Sequence, residues 1–450
     1  MSPRRRHLTQ GELIEGEVTV LSSPAPKARL GEHEARVLGG VPGDRGTFRV
    51  VHAGKNVIWA RIHELSAPSK DRVDAPCEVL DRCGGCPWQA VAPGVQRQAR
   101  MESVRQALGE HLEGARLHPW IVGPTEHGHR TRALMMARHQ GGKLRLGLFA
   151  PGTNELVAAE GCPAHHIRIT AALDGARKVL SERGVSTWRS PDRSGLLRAL
   201  LVRVDPESRG ALLTLVVSRE DPRLGDLGNA LLAATRRKGV TGVFANVQPA
   251  HGGPVLGPTT VHLAGATHQR VRYGELELEV GPTAFLQTNH AVATLMVAKV
   301  SELLPERMVH LVDLYAGVGV FGLALAGRAD RVTLVESSPA AVEDALHNVA
   351  RMGLETVAVV AEDARTGAAR VADADAVVVD PPRSGCAPEV LEALCAEGGP
   401  KTLVYVACGL RALARDLGVL TDGGWRVTDV VPVDLFAHTA HVEVITKLTR

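Results

Sequence analysis

Apolar and polar positions alternate from residue 11 to 66, in EGEVTVL, EARVLG, GDRGTFRVV and NVIWARIHEL, with Gly and Pro breaking the runs. A period of two, turn punctuation and no helical repeat predict a small β-barrel. Residues 66–76, SAPSKDRVDAP, are polar and proline-bounded and read as a linker. The spacing then turns helical: Val95, Met101, Val104 and Leu108 share one face of a helix predicted over 93–113. Between 129 and 280 strand patterns return, as in LLRALLVRVD and ALLTLVVS, with a helix near 225–237.

From residue 309 the alternation is between whole elements. HLVDLYAG, RVTLVES, AVVAED, AVVVDPP and TLVYVACG are apolar runs separated by FGLALAGR, PAAVEDALHNVARMG, APEVLEALCAEG and RALARDLGVLTDGG, which have helical spacing. Strands this rich in Val and Leu are buried on both faces, so a doubly wound parallel α/β sheet is predicted. WRVTDVVPV and AHVEVITKL lack a helix between them and are expected to pair antiparallel at its edge. The fold class is therefore α/β, in three domains: a barrel over 1–66, a mixed α+β domain over 67–280, and a Rossmann-like domain over 281–450. The 93–113 helix is expected to pack on the last.

Composition narrows the class without naming a function. Of 450 residues, 44% are hydrophobic and 22% charged, ordinary for a folded soluble chain. MSPRRRHLTQ is basic with no apolar run behind it, so it is not a secretory signal, and no stretch nears the roughly 20 apolar residues that cross a bilayer. The expectation is a cytoplasmic monomer with no membrane partner. A net charge of +3 is too small by itself to argue for a polyanionic partner.

Seven cysteines are few, yet CEVLDRCGGCPW places Cys77, Cys83 and Cys86 within ten positions. Thiolates brought together by a glycine turn suit a soft metal or an iron–sulfur cluster. Small buried residues placed there by coincidence are the plainer alternative. Disulfides would need an oxidising compartment, which the missing signal argues against.

In VDLYAGVGVFG a strand ends in Asp313 and turns through Gly317 and Gly319 into a helix, at the end where open α/β sheets bind cofactors. Glu336 ends the next strand, where a carboxylate can hold both ribose hydroxyls. Asp363 ends the third, and DPP at 380–382 ends the fourth. The glycines lack the full dinucleotide form, so S-adenosylmethionine is favoured over NAD. Cys408 lies just beyond the fifth strand, level with DPP and ahead of a helix whose N-terminus would favour its thiolate, whereas Cys395 fits a helix core. A thiol beside a methyl donor implies methylation of pyrimidine C5, because a thiolate added at C6 makes C5 nucleophilic. A base must then remove the C5 proton, and Glu443, between Val442 and Val444 with His438 and His441 nearby, is the candidate.

These residues resemble, in order, the blocks of the RNA uracil-5-methyltransferases of the iron–sulfur, TRAM-domain type. The blocks are DLYAGVGVFG, VDPPRSG, YVACGLRALARDL, FLQTN at 285–289 and HTAHVE, with GLFAPGTNELVAAEGC leading to a fourth cluster cysteine. The resemblance covers nearly the whole chain. It implies that Cys77, Cys83, Cys86 and Cys162 ligate a [4Fe–4S] cluster, not zinc, with a structural or RNA-placing role. It implies that Cys408 is the nucleophile and Glu443 the base. Gln287, Tyr315, Gly317, Glu336, Asp363 and Asp380 become the expected S-adenosylmethionine contacts, with Asp380 also near the target base. Residues 1–66 become a TRAM barrel of the oligonucleotide-binding type, 67–280 a central RNA-binding domain, and 281–450 the methyltransferase domain. The implied substrate is a uridine in structured RNA, 23S rRNA ahead of tRNA. The chain departs from the family at the nucleophile, where S-C-[N/D]-P followed by Thr or Ser is usual. Here the run is Ala407, Cys408, Gly409, Leu410, Arg411, Ala412, and Val320 replaces a frequent Asn after the glycine turn.

RNA contact needs basic surface, for which Arg4–Arg6, HRTR at 129–132, and Arg198 with Arg203 are candidates. Aromatics at 3% make a long stacking platform unexpected, while flipping of the target base to Cys408 is expected. Two other readings stand beside this one. A cytosine-5 RNA methyltransferase would carry a cysteine directly after the DPP-like proline, but Arg383 follows Pro382 and Cys386 lies further on. An RNA-binding iron–sulfur protein could retain the methyltransferase fold after losing catalysis.

Overall fold

The structure, a computed structural model, describes residues 7–54, 56–189, 192–207, 210–251 and 253–450, so the Arg4–Arg6 cluster lies outside the described residues. Two compact units divide the chain. The first comprises Met1–Glu102, Met135–Pro163 and Phe436–His441, the second Ser103–Leu134, Ala164–Leu435 and Val442–Arg450. Among the described residues no helix is long and apolar enough to cross a membrane.

In the first unit the alternating segment forms a closed barrel. Its strands β1 (Leu13–Val20), β2 (Lys27–Leu30), β3 (His33–Val37), β4 (Arg45–Ala53) and β5 (Ile58–Ala67) close in the order β1-β2-β3-β5-β4. Every second residue points inward, so Val18, Ala28, Leu30, Val37, Phe48 and Ala60 make the interior. The linker is tied back to the barrel by Asp44. This buried carboxylate accepts from the N–H groups of Val41 (2.7 Å) and Ser69 (3.0 Å) and pairs with Arg72. The cysteine segment follows, anchored by Trp88, Ala90 and Val91 around Val41. The helix predicted over 93–113 is α1 (Pro93–Leu108), followed by a 3-10 turn over Gly109–Leu112. Its buried stripe includes Val104 and Leu108 but also Gln96 and Arg100. Gln96 is satisfied there, its amide donating to the carbonyls of Trp88 (3.1 Å) and Val91 (2.8 Å). Beyond β6 (Arg116–Leu117), which belongs to the second unit, β7 (Arg132–Gln140), β8 (Lys143–Phe149) and β9 (Leu156–Ala158) form an antiparallel meander.

The second unit contains β10 (Leu197–Val204), β11 (Ala211–Val217), β12 (Val240–Val247) and β13 (Thr259–Gly265), packed against α2 (Ile167–Glu182) and α3 (Leu224–Thr235). β10 and β11 are buried along their whole lengths. A hairpin of β14 (Gln269–Tyr273) and β15 (Leu276–Val280) precedes α4 (His290–Leu303).

The predicted doubly wound sheet follows. Its parallel strands are β16 (Met308–Leu314), β17 (Ala329–Glu336), β18 (Val357–Ala361), β19 (Ala376–Val379) and β20 (Thr402–Ala407). Between them run α5 (Val320–Ala324), α6 (Pro339–Met352), α7 (Ala364–Gly367) and α8 (Pro388–Cys395), and α9 (Leu410–Asp422) leads to β21 (Arg426–Val433) and β22 (Glu443–Thr449). The order is β18-β17-β16-β19-β20-β22-β21-β6. The final two strands pair antiparallel, as expected, and β22 inserts beside β20. The order reverses between β16 and β19, and the crevice above such a switch point is where open α/β sheets take ligands.

Candidate active site

Strand topology brings the proposed nucleophile and base together. β22 runs antiparallel to β20 with Ala407 opposite Val444, so Glu443, the first residue of β22, enters beside Cys408 at the end of β20. Glu443 is fully buried and neither carboxyl oxygen has a hydrogen-bond partner. Burial, reinforced by Asp380, holds its carboxyl well above the usual 4.5, while Arg383 acts in the opposite sense. Burial likewise lifts Asp380 to about 7.

The Cys408 thiol departs from the sequence reading. A helix N-terminus was expected to favour its thiolate, yet the thiol is pushed up from 9.0, first by burial and then by Glu443 and Asp380. The helix begins only at Leu410, and the partial charge of its terminus is outweighed by lost solvent and two facing carboxyls. Arg383 is the cation that pulls the thiol back down. Gly409 allows this approach, because a Cβ there would lie 2.6 Å from the Arg383 carbonyl oxygen. A side chain at residue 409 would therefore force the Arg383 backbone to move.

The crevice beside this cluster is built from the ends of β16, β17 and β18. Tyr315 has φ of 60°, a conformation costly for a non-glycine residue and concentrated at functional sites. Its hydroxyl accepts from the Ala387 N–H at 3.1 Å. Glu336 accepts from the Gly317 N–H (2.8 Å) on one oxygen and from Ser337 (2.8 Å) and Ser338 (2.6 Å) on the other. The carboxylate at the end of β17 therefore fastens the glycine turn. Asp363 caps α7, accepting from the Arg365 N–H at 3.0 Å. Tyr315 and Asp363 line one open cavity of about 680 Å³ with Pro382, Cys386, Ala387 and Leu391, a size suited to a small-molecule site. Gln287 stands apart and lines a separate small recess with Thr131, Arg132, Arg203, Tyr273 and His290.

Two carboxylates here were missed by sequence reasoning. Asp313 is fully buried, accepts from the Gly322 N–H at 2.8 Å through one oxygen, and has no partner on the other. Burial, with Asp380 and Glu336 nearby, lifts it to about 7. Asp416 on α9 is also fully buried and accepts from the Cys386 N–H (2.8 Å), the Tyr405 hydroxyl (2.7 Å) and Arg415 Nε (2.8 Å). Arg415 in turn reaches the Ser384 carbonyl at 2.9 Å, so this group braces the turn that follows DPP. A signal existed: Asp416 falls on the apolar stripe of Leu413, Leu417 and Leu420.

Elsewhere the proposed residues fare unevenly. Cys77, Cys83, Cys86 and Cys162 are half-buried, free of disulfides, and lie in the first unit. Burial pushes the Cys77 thiol up, and both Cys83 and Cys162 add to the shift, so the two distant segments converge. Among the described residues no group of three or more His, Cys, Asp or Glu side chains is arranged to hold a metal ion. Arg198 and Arg203 do not form the exposed basic face that was expected. Arg198 stacks over Trp188, 4.3 Å from the ring centroid, and donates to the Ala250 carbonyl at 2.7 Å, while Arg203 is buried and donates to the Ala284 carbonyl. Both sit on β10, which has no exposed face to offer. His438 and His441 belong to the first unit, where His438 Nδ1 meets the Gln96 amide at 3.3 Å and His441 packs edge-on to Phe436.

Comparison with known proteins places the chain among RNA methyltransferases. A family profile described as tRNA (uracil-5-)-methyltransferase matches residues 268–450. An uncharacterised RNA methyltransferase of Gloeobacter violaceus is 34% identical over 462 residues, covering 98% of each chain. Another, from Thermosynechococcus vestitus, is 31% identical with the same coverage of both chains. Among solved structures, the Pyrococcus abyssi tRNA (uracil-54, C5)-methyltransferase in complex with S-adenosyl-L-homocysteine is similar over 97% of this chain and 99% of its own. Its TM-score is 0.78 and its identity 25%.

Proposed function

Because this chain belongs to the RNA (uracil-5-)-methyltransferase family, we propose that it moves the methyl group of S-adenosylmethionine to C5 of a uridine in structured RNA, through a covalent bond between Cys408 and C6. The observation that carries this reading is the convergence of Cys408, Glu443, Asp380 and Arg383 at the carboxyl end of the sheet, beside a cavity lined by Tyr315 and Asp363. Cys408 loses its proton to solvent, its sulfur bonds to C6, and the C5–C6 π electrons pass to the O4 enolate. C5 then takes the sulfonium methyl and S-adenosylhomocysteine leaves. Glu443, ionised at this stage, accepts the C5 proton as the C6–S bond breaks. A buried carboxyl without hydrogen bonds is suited to that task, because nothing in the free protein competes for its proton. Tyr315, Gly317, Glu336, Asp363 and Asp380 are the proposed contacts to the methyl donor, whereas Gln287, also expected among them, lines a recess apart from the Tyr315 and Asp363 cavity.

The substrate RNA has two candidates. The sequence reading favours 23S rRNA, whereas the matched family and the solved neighbour are named for tRNA, which weighs toward tRNA. Mass mapping of both RNAs from a strain lacking the gene separates them. The four cysteines are not arranged as a metal site in this structure, and the [4Fe–4S] reading rests on the chemistry of four thiols outside disulfides, drawn from two segments that approach one another. When bound, such a cluster would join the segments, and uracil methylation asks no electrons of it.

The deciding experiment incubates the protein with S-adenosylmethionine and RNA containing 5-fluorouracil. Fluorine at C5 cannot leave as a proton, so a methylated protein–RNA adduct should accumulate and survive denaturation. Cys408→Ala should abolish both adduct and turnover. Full methylation by Cys408→Ala would defeat the thiol mechanism.

A further inference from the structure

We propose that the recess lined by Thr131, Arg132, Arg203, Tyr273, Gln287 and His290 receives one non-bridging oxygen of an RNA backbone phosphate. This deepens the proposed function and rests on that reading. Two guanidiniums face this one small space, and among the described residues neither Arg132 nor Arg203 has a carboxylate within ion-pair distance. Arg203 is only 3% exposed and His290 only 5%. Three polar nitrogens around the recess are buried without a hydrogen-bond partner: Nε of Arg132, Nε of Arg203 and Nε2 of His290. Burying a charge without a counter-charge is costly, and here each guanidinium also repels the other. Tyr273 and Asp344 act on Arg203 through space in the opposite sense, and Asp205 and Glu207 act on His290. Burial lowers Arg203 only to about 10, so it stays a cation at neutral pH. His290 is also the first residue of α4, whose N-terminus adds positive potential at the same place.

Size selects the ligand. The recess holds about 10 Å³, room for one water-sized atom and no more. A nucleobase or a whole free carboxylate ligand does not fit. A phosphate can insert one oxygen and leave its phosphorus at the rim, where Thr131, Arg132 and Gln287 are half-buried. The rim is fixed, since Thr131 donates to the Thr288 carbonyl through both its N–H (2.8 Å) and its hydroxyl (3.0 Å). An oxygen seated there lies beside the FLQTN segment that carries Gln287.

The test uses the full chain with Arg203→Met and Arg132→Met, probed with inorganic phosphate and, separately, with purified total tRNA. Phosphate should raise the wild-type melting temperature in a concentration-dependent way and leave both variants unmoved. The slope of log affinity for tRNA against log salt should become shallower by about 0.7 to 0.9 in each variant, the loss of one phosphate contact. S-adenosylmethionine binding, measured by calorimetry, should persist in both. If Arg203→Met does not fold, Arg132→Met carries the test, because among the described residues Arg132 Nε has no hydrogen bond to lose. A phosphate response confined to the wild type, with unchanged tRNA slopes, would make this a free-phosphate site and overturn the RNA assignment. Unchanged responses in both arms would overturn the recess as a ligand site altogether. Failure of the wild type to methylate any RNA would instead defeat the proposed function, leaving the phosphate arm readable on its own.

Discussion

At Cys408 three influences compete over one proton. Burial and the carboxyls of Glu443 and Asp380 favour the thiol, and Arg383 alone among the named neighbours favours the thiolate. The same arginine pulls Glu443 down. Both groups must be deprotonated to work, so kcat/KM should rise with pH, along a limb set by raised pKa values. Removing the cation in Arg383→Met raises both groups further, and the limb should move to higher pH. A profile that stays in place would mean that Arg383 does not act on the thiol or the base. Glu443→Gln keeps the volume but accepts no proton. It should still form the adduct, yet release product about 10²–10⁴-fold more slowly, so a methylated adduct should build up on ordinary RNA. Electrophoresis of denatured reactions would reveal it, and normal turnover in this variant would remove Glu443 from the mechanism.

The elements of the sheet carry two further expectations. The end of β16 buries Asp313, whose carboxyl moves from 3.8 to about 7 on folding. The folded state then holds a proton that the unfolded chain releases, so this residue's contribution falls as pH rises from about 4 to about 7. Asp313→Asn preserves the acceptor for Gly322 and cannot ionise. Its melting temperature should gain on the wild type across that window, by the equivalent of a few kcal/mol at most. A difference that stays flat from pH 4 to pH 8 would contradict the assignment. Where β20 meets α9, Gly409→Ala would drive a Cβ to 2.6 Å from the Arg383 carbonyl. The loops must part, at a cost of about 1–3 kcal/mol, and methylation should slow with Cys408 intact. Wild-type stability and rate in this variant would show that the loop yields freely.

For the molecule as a whole the open question is what the four cysteines of the first unit hold. They come from two stretches of chain, 77–86 and 162, that share a unit although separated in sequence. If they hold a [4Fe–4S] cluster, anaerobically purified protein should be brown, and Cys162→Ser should lose iron and colour together despite its distance from the other three. The melting transition should drop with the iron. Colourless protein carrying one zinc per chain would refute the cluster.

Periodicity alone determined most of the architecture. The barrel over 11–66, the helix near 225–237 and the parallel strands after 309 were legible because a period of two, a period of 3.6 and unbroken Val and Leu runs each correspond to one pattern of burial. The proposed site residues were legible in position where a motif sits at a strand end, as with Glu336, Asp380 and Cys408. Tertiary structure decided what those motifs experience. The insertion of β22 beside β20 places Glu443 next to Cys408, and burial first, then Glu443 and Asp380, turns a thiol expected to ionise easily into one pushed up. Arg203 read in sequence as exposed basic surface, and the burial of Asp313 and Asp416 went unread, because a residue's burial depends on which distant segments cover it. Local spacing carries no record of that, and the fold supplies it.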